Sequence, residues 1–170
     1  MGRGKWKGRL VRAALEYIRK QRKRARTGQR TPMTPERLRH TLIGERDGRA
    51  SGWHHRPGGI DPPGAKLIKV TRRDPETGVY HGRVAFQNRR TGEWREKRGG
   101  STFFPDDWTP EQVQHAIERA FNGPGVHKDP ESGRWSGTFR GIKLRGFYDP
   151  DTDELLHGYP ILSSDGGGTP

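Results

Sequence analysis

Along the first quarter of the chain apolar residues recur at helical spacing, and from residue 66 they alternate. Leu10, Val11, Ala14, Leu15 and Ile18 form one stripe, with Arg12, Arg19, Lys20, Arg22 and Lys23 on the other faces, which predicts a basic amphipathic helix within residues 1–30. Thr31-Pro32-Met33-Thr34-Pro35 interrupts it. Thr34 then offers a cap with Pro35 in the first turn, Leu38 and Leu42 mark an apolar face, and Gly44 supplies the stop. Residues 56–65, RPGGIDPPGA, are too rich in Gly and Pro for regular structure and read as a loop. Strands follow at 67–71 and 79–86, joined by a turn at 74–78, and a third lies around Trp94. Thr109-Pro110-Glu111-Gln112 is a helix start with a capping box, Val113, Ala116, Ile117 and Ala120 its buried stripe, and Asn122-Gly123-Pro124-Gly125 its end. A β-meander closes the chain at 135–140, 142–148 and 154–162, with a hairpin turn at 149–152. The expected class is α+β: N-terminal helices followed by antiparallel β-sheets, with one intervening helix. The division is a basic helical arm or linker at 1–30, one domain at 31–163, and a flexible tail at 164–170.

Charge sharpens that division. The net charge is +13, of which residues 1–30 hold +11 and the remaining 140 residues only +2. Basicity belongs to the arm, so attraction to RNA phosphates, an anionic membrane or an acidic partner is localised there. The absence of cysteine excludes disulfides, zinc–thiolate sites and a cysteine nucleophile, and leaves the redox compartment open. No apolar run approaches the ~20 residues of a membrane span. The N-terminus shows no apolar core with a small-residue cleavage site.

Candidate chemistry concentrates between His40 and His55, where HTLIGERDGRASGWHH carries three of the seven histidines. A helix end, a Gly-rich turn and an apolar-flanked histidine suffice to bring His40 and His54 to one cleft. Two imidazoles near neutral pKa can divide acid and base work across a phosphodiester. P-loop, HExxH, EF-hand and GxSxG motifs are absent, which leaves NTPase, zincin, calcium and α/β-hydrolase readings without support. His81, His115 and His127 read as structural or solvated.

Four ordered motifs resemble the EndoU family of uridylate-preferring endoribonucleases. They are His40-Thr41-Leu42-Ile43-Gly44-Glu45, then Gly52-Trp53-His54, then STFFPDDW at 101–108 followed by a helix, and finally His157-Gly158-Tyr159-Pro160. The resemblance spans about residues 36–162. It implies an EndoU-like fold related to ribonuclease A-type architecture, and metal-independent or weakly metal-stimulated cleavage of single-stranded or loop RNA, tRNA among the targets. The 2′-OH attacks phosphorus and leaves a 2′,3′-cyclic phosphate. Cofactors and resident metals are not implied. His54 is the implied base and His40 the implied acid, with His55 as the alternative to His54. Tyr159 would stack on or orient the uracil. The family lysine near the STFFP-like segment is replaced by Gly100 and Ser101, so Lys97 reaches in, or Ser101 and Thr102 hydroxyls stand in, or Arg98 helps. His157 stands where the family offers Thr or Ser and could bind base or phosphate. Arg56 is a candidate phosphate contact.

The resemblance further implies a bacterial toxin domain, secreted or delivered into a target cell, with RNA as substrate and an immunity protein as a partner. The alternative is a non-catalytic RNA-binding module that uses the basic arm. A His-ligated metal hydrolase would require carboxylates such as Glu45 or Asp47 beside His54 and His55.

Overall fold

The computed structural model describes residues 3–26, 33–46 and 50–163. Helix α1 spans Arg3–Arg26, α2 Pro35–Ile43 and α3 Pro110–Phe121. The strands are β1 Ala65–Arg73, β2 Tyr80–Gln87, β3 Trp94–Glu96, β4 Ser101–Phe103, β5 His127–Asp129, β6 Arg134–Phe139, β7 Ile142–Asp149 and β8 Glu154–Ile161. They form two four-stranded antiparallel sheets, the first β1-β2-β3 with β4 also paired to β2 and the second β5-β6-β7-β8, so the class is α+β. The end of the basic segment at 27–30, the Thr31-Pro32 break, Asp47 and the tail at 164–170 lie outside the described residues.

The caps form as their residue types dictate. Thr34 accepts a hydrogen bond from the Arg37 amide, and Gly44, at φ +79°, closes α2 by donating to the Arg39 and His40 carbonyls. In α3 the Thr109 hydroxyl accepts from the Gln112 amide while the Gln112 side chain accepts from the Thr109 amide. Two short strands escape the period-two pattern. β4 and β5 have three residues each, too few for an alternation to register.

Two apolar cores result. The larger packs α2 and α3 on the second sheet through Leu38, Leu42, Val113, Ile117, Trp135, Leu144 and Leu155. The smaller lies against the first sheet around Trp53, Tyr80, Val84, Phe86 and Phe103. Helix α1 joins the larger core: Ile18 is buried in it, and the Tyr17 hydroxyl bonds the Gln114 side chain of α3. The N-terminal basic segment is therefore anchored on the domain along its Ala14–Ile18 face, while Leu15 stays exposed.

Glycine sets the distance between α3 and the second sheet. A Cβ on Gly158 would stand 2.5 Å from Ile117 Cγ2 and 3.0 Å from Trp135, and one on Gly137 would stand 2.5 Å from the Ala120 carbonyl oxygen. Neither the β-branched Ile117 nor the Trp135 indole can yield cheaply. Gly158→Ala should lower stability by about 1–3 kcal/mol through overpacking, read as a lower urea midpoint at unchanged slope. An unchanged midpoint would show that the helix can lift away freely.

Candidate active site

His40 stands in the last turn of α2, and the chain returns to it through Ser51–His54. Four backbone hydrogen bonds make that return: Glu45 amide to Ser51 carbonyl, its reciprocal, Trp53 amide to His40 carbonyl at 3.0 Å, and His54 amide to Thr41 carbonyl at 2.7 Å. The turn requires Gly52, whose φ is +71° and whose missing Cβ would lie 2.2 Å from the His40 carbonyl oxygen. Trp53 follows at φ +62°, an unusual conformation for a bulky residue. It is held by full burial against Phe86 and Phe103. On the other side of His54, its carbonyl accepts from the Phe104 amide, which attaches the 101–104 segment.

These elements enclose an open cleft of about 460 Å³ lined by His40, Gly52, His54, Lys97, Thr102, His157 and Tyr159, with Phe147 at its rim. The two sequence-adjacent histidines diverge. His54 faces the cleft, whereas His55 is fully buried with Nε2 against the Trp108 carbonyl at 2.8 Å. Arg56 is likewise withdrawn: it pairs with Asp61 at 2.7 Å, donates to the Tyr80 hydroxyl at 3.0 Å and lies 3.6 Å from Asp106. His55 and Arg56, expected at the substrate, do not line the cleft, because the Trp108 carbonyl holds one side chain and the Asp61–Tyr80–Asp106 network the other. Arg98 lines a separate depression with Arg46 and Arg95.

Each cleft imidazole has a different second partner. His54 Nδ1 lies 2.7 Å from the Thr102 carbonyl, which can only accept, so Nδ1 carries the proton and Nε2 the lone pair. His40 Nδ1 lies 3.0 Å from the Glu45 carboxylate, which accepts a hydrogen bond from it. His157 sits between them, with ring centroids 4.6 Å from His40 and 5.5 Å from His54, and its Nε2 is buried without a hydrogen-bond partner. Tyr159 stacks on His54 at 5.1 Å and 20°.

Lys97 reaches the cleft although it precedes the expected position. The turn at Gly99 and Gly100, both at positive φ, folds the chain back so that Lys97 Nζ donates to Ser101 Oγ at 2.8 Å and to the Gly52 carbonyl at 3.0 Å. Gly100 has no room for a side chain, since a Cβ would stand 2.3 Å from the Gly82 carbonyl oxygen. An ammonium has three donors, and the third remains for an anion in the cleft. Ser101 is buried and donates to the Gly52 carbonyl at 3.2 Å, so its hydroxyl belongs to this support. Burial lowers the Lys97 ammonium to about 8. Burial, then the charges of Lys97 and His157, hold His54 well below the usual imidazole range. His157 is lowered to about 3 by burial and by repulsion from His40 and Lys97.

Sequence reasoning missed two residues. Phe147 was legible as the exposed aromatic on the outward register of β7, between the inward Leu144, Gly146 and Tyr148. Glu45 belongs to the first motif but has no role in the sequence reading beyond that of a metal partner, because nothing in the sequence shows that the turn carries it back to His40. Among the described residues no group of three or more His, Asp or Glu side chains is arranged to hold a metal ion, and no helix is long and apolar enough to cross a membrane.

The motifs that build this cleft lie within residues 34–162, which match the profile described as the bacterial EndoU nuclease family. The chain belongs to that family. This EndoU-family domain is also 32% identical over 132 residues to a Bacillus cereus protein named Toxin, a match that covers 74% of this chain and 22% of the relative. It thus spans about a fifth of that relative's length. No solved structure matches it.

The buried imidazoles tie stability to pH. Below the ordinary imidazole value of 6.5 the unfolded chain takes up protons that native His157 refuses until about 3, so stability falls as pH drops through that window. Below it the loss levels off. His157→Gln should flatten the decline, measured as urea midpoints between those two pH values. An equal slope in the variant would mean that His157 is protonated in the native state.

Proposed function

We propose that this domain is an endoribonuclease that cuts single-stranded or loop RNA at uridylates, through attack of the 2′-OH on the adjacent phosphorus. The observation that carries the reading is the unlike backing of two imidazoles in one cleft, a backbone carbonyl behind His54 and a carboxylate behind His40. His54, with a lone pair on Nε2 and a carbonyl behind it, suits the base that takes the 2′-OH proton. His40, backed by the Glu45 carboxylate, suits the acid that protonates the departing 5′-oxygen. RNA supplies its own nucleophile, so the protein provides proton transfer and charge stabilisation.

Lys97 is the group suited to the extra negative charge on the phosphorane, with Ser101 holding it in place. Its position favours the catalytic reading over the non-catalytic alternative, since a lysine lines the cleft although positions 100 and 101 carry none. Tyr159, with one face on His54, has its other face and its hydroxyl for the base, and His157 and Thr102 complete the wall. The relative's name and its much greater length support a further reading: a toxic domain of a larger delivered bacterial protein, restrained in its producer by an immunity protein.

Uridine-containing RNA incubated with the protein in EDTA should yield fragments ending in a 2′,3′-cyclic phosphate, identified by mass spectrometry. His40→Ala and His54→Ala should each lower kcat by about 10²–10⁴. Intact RNA with the wild type, or undiminished cutting by both variants, would overturn the proposal. The base must be unprotonated to act and His54 is held below 6.5, so the acidic limb of the kcat/KM profile should lie well under that value. A limb at or above it would assign the base elsewhere.

A further inference from the structure

The outer face of the second sheet continues the cleft as an ordered row of side chains. Three rungs follow from the strand register. The first is Arg134–Phe147–His157, the second Ser136–Arg145–Tyr159, and the third Thr138–Lys143–Ile161. The alternate residues Trp135, Gly137, Leu144, Gly146, Gly158 and Pro160 are buried beneath them, so all nine rung positions share one surface. The first two rungs end in cleft residues. The third lies one step of ~7 Å beyond the second.

The face has a definite chemistry. It carries three cations and three hydroxyls, with no carboxylate in any rung. Among the described residues Arg145 and Lys143 form no ion pair, and Arg134 lies over the exposed Phe147 ring at 5.8 Å. Its nearest acid by register is Asp129 on β5, whose carboxylate accepts from the Ser132 hydroxyl and the Glu131 amide. Ser136, Thr138, Lys143, Arg145 and Ile161 surround a shallow depression of about 190 Å³. Cations interleaved with an aromatic ring suit a single-stranded polynucleotide, since phosphates take the charges and a base takes the ring. This basic surface adjoins the cleft, whereas α1 packs through its apolar face on α2, α3 and the Pro57–Gly59 turn.

We propose that this face is a binding track for the RNA segment leading away from the cleaved phosphate, with Phe147 stacking the first base outside the cleft and Arg145 and Lys143 gripping successive phosphates. It rests on the ribonuclease reading and adds a requirement for substrate length. A dinucleotide fills the cleft alone, whereas a longer strand also engages the track.

The test compares wild type with the double variant Lys143→Gln/Arg145→Gln on a uridine dinucleotide and on a single strand of about twelve nucleotides, within the usual span of single-strand sites. For the long substrate kcat/KM should fall at least tenfold, and for the dinucleotide it should stay within twofold. The log–log salt dependence for the long strand should become shallower by about 1.4, two phosphate contacts at ~0.7 each. The charge-preserving Lys143→Arg/Arg145→Lys should retain wild-type values. An unchanged long-strand kcat/KM, or an equal loss on both substrates, would overturn the track. Anisotropy of the labelled strand, measured with and without the double variant in a His40→Ala background, reads binding independently of turnover. If the wild type cuts nothing, the ribonuclease reading fails, and the same anisotropy slopes still decide the track: a shallower slope supports it and an equal slope overturns it.

Discussion

Close backbone approach at Gly52 is the constraint on which the cleft depends. The His40 carbonyl must receive the Trp53 amide, and the Thr41 carbonyl the His54 amide, so the segment carrying His54 has to pass over the end of α2 at hydrogen-bonding distance. A side chain at position 52 would occupy the His40 carbonyl. Once that crossing is made, the His54 carbonyl takes the Phe104 amide and its Nδ1 the Thr102 carbonyl. One glycine thereby registers α2, the return segment and β4, and with them two histidines and the turn that brings Lys97.

The electrostatics of the cleft follow from crowding basic groups into a partly dry space. Three imidazoles and an ammonium cannot all be charged there, since each disfavours protonation of its neighbours and burial disfavours charge in general. Among the described residues, the carboxylate hydrogen-bonded to a cleft imidazole is Glu45, on His40. His157 and His54 are thus held towards the neutral form, and the Lys97 ammonium is lowered to about 8. An anion entering the cleft would find the Lys97 ammonium already held in place by Ser101 and the Gly52 carbonyl.

Basicity in this chain divides between two surfaces. The larger share sits on α1, whose inner face is fastened through Ala14 and Ile18, so those charges ride on the domain at a fixed place along that stretch. The smaller share, on the outer face of the second sheet, is nearly invisible in the net charge of residues 31–170. A charge count sees only totals, whereas alternation along β6 and β7 gathers Arg134, Arg145 and Lys143 on one side.

Local chemistry was legible wherever a residue type does one job regardless of context. Thr34-Pro35, Thr109-Pro110-Glu111-Gln112 and the period-two segments of β1, β2, β6, β7 and β8 declare helix starts and strands, because capping and alternation are short-range effects. β4 and β5 were not legible, since three residues carry no period and pair only because a neighbouring strand offers its edge. The histidine pair could be picked out from spacing and resemblance, yet which of His54 and His55 faces the cleft could not. Trp53 at positive φ and the Trp108 carbonyl decide that, and both are set by packing. Arg56 was drawn into the Asp61–Tyr80–Asp106 network by the same kind of distant partner. Lys97 reached the site through a two-glycine turn that shifts it four residues relative to its hydroxyl partner Ser101. The sequence by itself determined the elements and the stock of reactive groups; the tertiary structure alone decided which of them meet, because a meeting depends on partners that lie far apart along the chain.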